Sequence, residues 1–297
     1  MAQKLRIKDL RQSLTNDVLR LIGIPQTGIN LRIFKPLLWP PTTLLSKLAA
    51  RFDYYVDRYG LGEASQWVLS KFARGIEISG EERIPEEGPL LIAANHPGTI
   101  DGFAITANVP RPDLKVVVTG IPFIQRLRST SKHLIYATLD PHQRMTTVRS
   151  IIRQLEEGGA LLIFPTGTID PDPEFMPGSL DALRSWSPSL ELILKKVPQT
   201  QVLVTIVSGV INPSYLRNPF ARLHKGIREQ QKVAEFLQVA QQLILPKFRT
   251  LLPRVSFGSP ITVESILKAE GSSQVLVNII AKAQQLLHEH TGKLGLK

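Results

Sequence analysis

Residues 90–102 read LLIAANHPGTIDG. The run Leu90–Ala94 is apolar and short, and turn-forming residues follow it directly. Such a run is typical of a strand buried on both faces of a sheet. The polar turn after it contains Pro and Gly, and turns at strand ends commonly display functional side chains. The stretch therefore predicts a buried strand that carries His96 and Asp101 to one edge of a sheet.

Further runs of the same character lie on both sides of this strand. Six of them have strand-like composition: 76–79, 115–119, 134–138, 161–164, 202–210 and 255–257. Apolar residues recur at helical spacing between several of these runs, in 145–155, 233–244 and 279–287. Strands that alternate with helices predict an α/β fold with a mixed, largely buried β-sheet flanked by helices.

The first 75 residues have a different pattern. Apolar residues recur in three- and four-residue steps from Leu45 to Tyr59, which predicts an amphipathic helix. We expect this helix to begin near Thr42, after two prolines, and to end at Gly60 and Gly62. The chain thus divides into an N-terminal amphipathic helical region, residues 1–75, and an α/β domain, residues 76–297.

Composition narrows the range of functions. The 297 residues include no cysteine, so disulfides, thiolate catalysis and cysteine-bound zinc are excluded. The net charge of +11 favours a polyanionic partner, such as an anionic membrane, an acidic substrate or nucleic acid. Paired aromatic platforms and zinc knuckles are absent from the sequence, so we expect no nucleic-acid partner.

Membrane contact is expected at the surface of a bilayer. The N-terminus is basic but lacks the apolar segment of a signal peptide, and no run approaches the roughly 20 apolar residues of a spanning helix. Aromatic residues such as Trp39 and Trp67 share the N-terminal helices with Lys and Arg, a composition typical of helices at an anionic lipid interface. The alternative is a helical layer that packs on the α/β domain.

His96 and Asp101 suggest acid–base chemistry. They are five positions apart, and a turn that enters a helix can bring their side chains together. An aspartate that accepts a hydrogen bond from one imidazole nitrogen leaves the other free to take a proton from an alcohol. This is the base half of a catalytic triad, with a substrate hydroxyl in place of the serine. The alternative is a histidine that closes a turn and an aspartate that begins a helix.

Three further blocks accompany this pair: 121–126 (IPFIQR), 164–168 (FPTGT) and the apolar strand 202–210. In this order, the four blocks resemble the PlsC-like glycerolipid acyltransferase family of glycerol-3-phosphate and 1-acylglycerol-3-phosphate acyltransferases. That family carries an N-H-x4-D block, a proline–phenylalanine block, an F-P-E-G-T block and an apolar strand. The resemblance covers residues 76 to 215.

The resemblance implies a reaction. His96 would be the general base that deprotonates an acceptor hydroxyl, and Asp101 would orient it. The oxygen would attack the thioester of acyl-CoA or acyl-carrier protein, without a cofactor or metal, and the acceptor would be a glycerol phosphate or a lysolipid. The enzyme would be peripheral, on the cytoplasmic face of a membrane. Two alternatives remain: a hydrolase that uses the same pair on water, and a non-catalytic membrane-binding adaptor.

The resemblance also implies a set of substrate-binding residues, drawn from the three polar blocks. Gly167 would allow close approach of the acceptor, Thr168 would donate a hydrogen bond to it, and backbone amides of the turns would stabilise the oxyanion. The full set is Asn95, Gly98, Thr99, Arg126, Arg128, Phe164, Pro165, Thr166, Gly167 and Thr168.

Two positions depart from the family pattern. Thr166 replaces the glutamate of the F-P-E-G-T block, and Ile169 replaces a basic residue that commonly follows it. The arginine that usually follows the second block is not evident, although Arg126, Arg128 or Arg144 could take its place. Since the family uses these positions for the acceptor phosphate, a lysolipid with another head group is an open alternative. The acids at 170, 172 and 174 alternate with prolines, which favours a stiff turn over a metal site.

Overall fold

The structure is a computed structural model that describes residues 7–21, 29–138, 144–270 and 275–292. The predicted N-terminal helical region is therefore described except for residues 1–6 and 22–28.

One mixed sheet forms the centre of the described chain. Its eight strands have the order β1-β7-β6-β2-β5-β3-β4, with β8 beside β6. The strands are β1 Glu77–Ser79, β2 Leu90–Ala94, β3 Lys115–Thr119, β4 Leu134–Ala137, β5 Ala160–Ile163, β6 Gln201–Ser208, β7 Arg254–Phe257 and β8 Ile261–Thr262. The five strands from β6 to β4 along the sheet are parallel, and β7 and β8 run antiparallel to β6.

Helices cover both faces of this sheet. They are α1 Ile7–Leu21, α2 Ile29–Leu69, α3 Asp101–Thr106, α4 Pro122–Gln125, α5 Arg144–Glu156, α6 Ser179–Arg184, α7 Ser189–Lys196, α8 Pro213–Leu216, α9 Pro219–Arg222, α10 Ile227–Ile244, α11 Val263–Glu270 and α12 Val275–Gly292. Side chains of β2 alternate between two cores. Leu90, Ile92 and Ala94 face the core that α2 and α3 complete, while Leu91 and Ala93 face the core of α5, α7 and α12. The predicted α/β fold, with a mixed and buried sheet flanked by helices, is confirmed.

The topology explains where a site forms. β2 lies between β5 and β6, and all three strands are parallel. Because the carboxyl ends of parallel strands meet at one edge of a sheet, the turns that follow β2 and β5 are neighbours. The turn after β2 contains the block 95–101, and the turn after β5 contains the block 164–168.

The predicted start of the long N-terminal helix was wrong. α2 begins at Ile29 and includes Pro40 and Pro41, and the helix is interrupted only at Gly60, where φ is 86° and ψ is 173°. Thr42 does not cap a helix start. Its hydroxyl donates to the Leu38 carbonyl at 2.6 Å, the bond that a threonine makes inside a helix. The helix was predicted to end at Gly60 and Gly62. Its backbone leaves the helical conformation at Gly60 but is helical again beyond it, as far as Leu69.

Candidate active site

Asn95 anchors the turn that follows β2. Its amide nitrogen donates to the Val207 carbonyl at 2.9 Å, and its amide oxygen accepts from the Val207 backbone N–H at 2.8 Å. The side chain is buried between β2 and β6. Asn95 therefore extends the sheet by one more pair of hydrogen bonds, and substrate contact by this residue stays a prediction.

His96 and Asp101 meet as the sequence predicted. His96 Nδ1 lies 2.9 Å from Asp101 Oδ2. The Asp101 side chain is 1% exposed, whereas the His96 side chain is 29% exposed. A buried carboxylate thus holds one imidazole nitrogen, and the ring keeps an accessible edge. With the proton on Nδ1, Nε2 carries the lone pair that a general base needs.

Backbone amides fix the Asp101 carboxylate. Asp101 is the first residue of α3, and it accepts from Gly98 N at 2.9 Å and from Gly102 N at 2.5 Å. A helix N-terminus stabilises a negative charge through its free N–H groups and its dipole. These contacts hold the Asp101 carboxylate in place and aim it at His96.

Electrostatics favour the protonated imidazole. Burial is the largest single effect and lowers the pKa of His96. The charge and hydrogen bond of Asp101, together with the charges of Glu235 and Asp170, outweigh it. The net result is a pKa of about 9. His96 is therefore a strong base, and it is mostly protonated at neutral pH.

The turn after β5 packs against the imidazole. The Phe164 ring stacks on the His96 ring with centroids 4.4 Å apart and planes 27° apart. Gly167 has a φ of +65°, a left-handed conformation that suits glycine, and no atom lies within 4 Å of the position where a Cβ would be. The Cβ position of Gly167 therefore faces open space, and close approach of an acceptor at this residue stays a prediction.

Asp170 ties the two turns together. Its carboxylate accepts from the His96 backbone N–H at 2.9 Å, and its own N–H donates to the His96 carbonyl at 2.7 Å. The Thr166 hydroxyl donates to Asp170 at 3.2 Å and to the Thr168 carbonyl at 3.0 Å. Thr166, at the departure from the family pattern, thus serves the internal structure of the turn, and the backbone of His96 is fixed on both sides.

The next two acids have separate partners. Asp172 is fully buried and accepts from the N–H groups of Glu174, Gly209 and Val210, at 3.0, 3.1 and 3.0 Å. Burial raises its pKa to about 6. Glu174 pairs with Arg254 at 2.6 Å. Asp172 and Glu174 therefore bind the segment to neighbouring parts of the chain through hydrogen bonds and an ion pair. The described residues contain no cluster of three or more His, Asp or Glu side chains that could hold a metal.

Three backbone amides of the turn after β2 (the first turn) have acceptors inside the protein, and stabilisation of an oxyanion by the other amides of the turns stays a prediction. His96 N donates to Asp170, Gly98 N to Asp101 and Thr99 N to Glu235. In the turn after β5 (the second turn), Gly167 N donates to the Phe164 carbonyl at 3.0 Å. These groups already have acceptors inside the protein, so their observed role is to hold the turns in place.

The sequence predicted a helix in the region of α10, but its contacts with the site were missed. α10 was predicted from an apolar stripe between Val233 and Ile244, but its buried positions include Gln231, Glu235, Gln238 and Gln242. Gln231 and Glu235 contact the two turns directly. Polar residues at helical spacing usually lie on a solvated face of a helix, so the sequence did not indicate that these four are buried. The one available signal was their regular spacing of four, three and four residues.

The predicted arginines follow α4. Arg126 and Arg128 are exposed, Arg126 at the end of α4 and Arg128 just beyond it, and the side chain of Arg144 lies outside the described residues. A basic residue whose charge acts on the site is Arg228 of α10. It lowers the pKa of Asp170, while burial, the largest effect, raises it. Contact of Arg126 and Arg128 with a substrate stays a prediction.

Comparison with known proteins shows what one segment of the chain is similar to. Residues 75–189 match the family model described as Acyltransferase, and this segment contains both turns and the His96–Asp101 pair. A curated relative, lysophosphatidylcholine acyltransferase 2 of Homo sapiens, is 30% identical over 97 residues, which are 31% of this chain and 18% of the relative. The chain thus spans under a fifth of that relative. The 1-acyl-sn-glycerophosphate acyltransferase PlsC of Thermotoga maritima aligns with a TM-score of 0.43 and 17% identity, over 96% of this chain and 97% of that one.

The matches agree with the motifs. Residues 75–189, which include the His96–Asp101 turn, are similar to acyltransferases in both the family model and the human relative. The resemblance to an acyltransferase family that was predicted from the sequence blocks is confirmed for this segment.

Proposed function

We propose that the chain is an O-acyltransferase that moves a fatty acyl group from acyl-CoA or acyl-carrier protein to the hydroxyl of a glycerol phosphate or lysolipid. The observation that carries the proposal is the His96–Asp101 pair, 2.9 Å apart, with a buried carboxylate and a partly exposed imidazole. The pair lies inside the segment that matches the acyltransferase family.

The geometry supports direct transfer to the acceptor. His96 Nε2 takes the proton of the acceptor hydroxyl as its oxygen attacks the thioester carbonyl. Asp101 stabilises the imidazolium that forms, as the aspartate of a catalytic triad does. When the carbon–sulfur bond breaks, the imidazolium returns its proton to the departing thiolate, so the products are an ester and a free thiol. These steps use no cofactor and no metal.

A lysophospholipid is the acceptor that we favour. The turn 164–170 contains no basic side chain, and Thr166 is occupied by Asp170 and the Thr168 carbonyl. A phosphate would therefore find its charge partner outside this turn, and Arg228 is placed to provide one. The human relative is by its name a lysophosphatidylcholine acyltransferase, which is in keeping with an acceptor that carries a further head group.

We place the protein at a lipid surface. Among the described residues, no helix is both long enough and apolar enough to cross a bilayer. Large apolar side chains are nevertheless exposed on α2, where Leu37 is 69% and Trp39 is 49% exposed. Apolar and aromatic side chains beside basic residues are typical of a helix that lies in an anionic lipid interface. Such contact would bring the site to an acceptor dissolved in the bilayer.

An acceptor panel tests this function. Thiol release from acyl-CoA is measured with lysophosphatidylcholine, lysophosphatidate, glycerol-3-phosphate or no acceptor, in vesicles with and without anionic lipid, and the acylated product is identified by mass spectrometry. We expect acceptor-dependent release, with a lysophospholipid preferred to glycerol-3-phosphate. Release without acceptor would indicate a hydrolase. Vesicle binding without thiol release from acyl-CoA or acyl-carrier protein would indicate an adaptor.

A further inference from the structure

α10 has a polar stripe on its buried face. Gln231, Glu235, Gln238 and Gln242 are each at most 7% exposed, although the helix carries enough apolar residues to bury a different face. Burying amide and carboxylate groups costs free energy unless they find hydrogen-bond partners. The partners of this stripe therefore show what the helix is built to hold.

Gln231 holds both catalytic turns at once. Its amide nitrogen donates to the Pro97 carbonyl at 2.7 Å and to the Asp170 carbonyl at 2.8 Å. Pro97 follows His96 in the first turn, and Asp170 belongs to the second turn. A single buried amide thus fixes the spacing between the two turns that meet at the imidazole.

Glu235 lies four residues after Gln231 on α10 and contacts the middle of the loop that follows β2, the first of the two catalytic turns. Its carboxylate accepts from the Thr99 backbone N–H. Gly98 makes the approach possible, since a Cβ at that position would lie 2.6 Å from Glu235 Oε1 and 3.2 Å from Val210 Cγ2. The carboxylate is buried, which raises its pKa, while its hydrogen bonds with Thr99 act against that rise.

We propose that Gln231 and Glu235 are positioning residues for His96, so that α10 is the third element of the active site beside the two turns. The inference rests on the proposed acyl transfer. Between them, the two side chains hold Pro97 and Thr99, which lie inside the five-residue span that must fold back to join His96 to Asp101. Without them the span loses its support from α10, and a displacement of about 1 Å at a reacting group costs roughly 10²-fold in rate.

Glu235 also adds to the charge around the imidazole. The carboxylates that face His96 come from three elements: Asp101 from α3, Asp170 from the second turn and Glu235 from α10. Each favours the imidazolium, and the charge of Arg228 acts on Asp170. Removing the charge of Glu235 without removing its oxygen should therefore lower the pKa of His96.

Four variants separate positioning from simple stability. Glu235→Ala and Gln231→Ala remove the contacts with the turns, and Glu235→Gln keeps an oxygen for Thr99 N but loses the charge. Gln242→Ala is the matched control, since Gln242 lies on the same buried face but donates to the Phe72 and Phe248 carbonyls, at 3.3 and 3.2 Å. All four are compared with wild type by circular dichroism and thermal melting before kinetics.

We expect Glu235→Ala and Gln231→Ala to lower kcat about 10²-fold with little change in KM, because the base is misplaced while the substrate sites remain. We expect Glu235→Gln to keep most of kcat and to move the pH–rate profile to lower pH, and Gln242→Ala to stay within about twofold of wild type in kcat. Equal kcat values for Glu235→Ala and Gln242→Ala would overturn the proposal, since both would then be losses of a buried hydrogen bond.

A measurement without substrate separates this inference from the proposed function. The pKa and tautomer of His96 are followed by nuclear magnetic resonance of the imidazole in wild type, Glu235→Gln and Gln242→Ala. We expect a lower pKa in Glu235→Gln alone, and an unchanged pKa in that variant would overturn the coupling. A wild type that acylates no acceptor would refute the proposed function, and the titration would still decide whether Glu235 acts on His96.

Discussion

Replacing Asp101 with asparagine is the sharpest perturbation of the site, because it keeps the shape and changes the hydrogen-bond chemistry. Asp101 Oδ2 accepts from both His96 Nδ1 and Gly98 N, and Oδ1 accepts from Gly102 N. Asparagine has one oxygen for these three donors. In either orientation of the amide, the NH₂ group takes the place of an aspartate oxygen and faces at least one N–H group. That N–H group then has no acceptor.

The magnitude follows from what is lost. An unsatisfied buried donor costs about 1–3 kcal/mol of folding free energy. The effect on catalysis is larger, because the imidazolium loses its counter-charge and the preferred tautomer of His96 is no longer enforced. In a serine protease, the corresponding substitution lowers kcat about 10⁴-fold. Since a decade of rate is about 1.36 kcal/mol, that loss corresponds to about 5 kcal/mol of transition-state stabilisation. We expect a fall in kcat of about 10³- to 10⁴-fold for Asp101→Asn.

The assay is acceptor-dependent thiol release, measured between pH 6 and 10, with urea denaturation to confirm folding. Asp181→Asn is the control, since Asp181 is an exposed aspartate that pairs with Arg184 at 2.8 Å. Because Asp101 raises the pKa of His96, the limb of the pH–rate profile should also move to lower pH in Asp101→Asn. If Asp101→Asn kept kcat within about threefold of wild type with the same pH profile, the role assigned to Asp101 would be refuted.

Three further predictions concern other parts of the structure. With a His96 pKa of about 9, kcat/KM of the wild type should rise about tenfold per pH unit from pH 6 and level off near pH 9, and a profile that is flat across this range would contradict the base assignment. Asp172→Ala deprives three backbone N–H groups of their acceptor and should lower the free energy of unfolding by about 3 kcal/mol, measured by urea denaturation. A change below about 0.5 kcal/mol would show that these hydrogen bonds are not needed for stability. Gly98→Ala places a methyl group 2.6 Å from Glu235 Oε1 and should lower kcat for thiol release by up to about 10²-fold, so a fully active variant would show that the close approach of α10 is not required.

Most of the sheet could be predicted from the sequence. Seven strands coincide with predicted strand-like runs. For β2, β5 and β6 the reason is that parallel strands buried on both faces have continuous apolar composition. β8 was missed, since Ile261–Thr262 is too short to produce a pattern. The start of α2 was misplaced because Pro40 and Pro41 are typical of a helix start, whereas here they lie within a longer helix that the tertiary packing maintains.

The site was predictable in part, and the reason lies in the range of the contacts. His96 and Asp101 are close in sequence, and a turn that enters a helix joins them by local geometry. The hydrogen bond between Asp170 and His96 joins residues 74 positions apart in the sequence, and the bond between Glu235 and Thr99 joins residues 136 positions apart. No local sequence pattern encodes such pairings. A buried glutamate on a helix has the same sequence signal as an exposed one, so only the packing of α10 reveals its place beside the catalytic turn.

The central claim is that His96 performs acyl transfer, and the most direct test compares wild type with His96→Ala. His288→Ala is the matched control, since His288 is an exposed histidine on α12. Acceptor-dependent thiol release is measured for all three at pH 9 under saturating acyl-CoA and lysophospholipid. We predict that release is lost in His96→Ala, by about 10³-fold or more, and is retained in His288→Ala. Acceptor-dependent release by a folded His96→Ala at the wild-type rate would contradict the account.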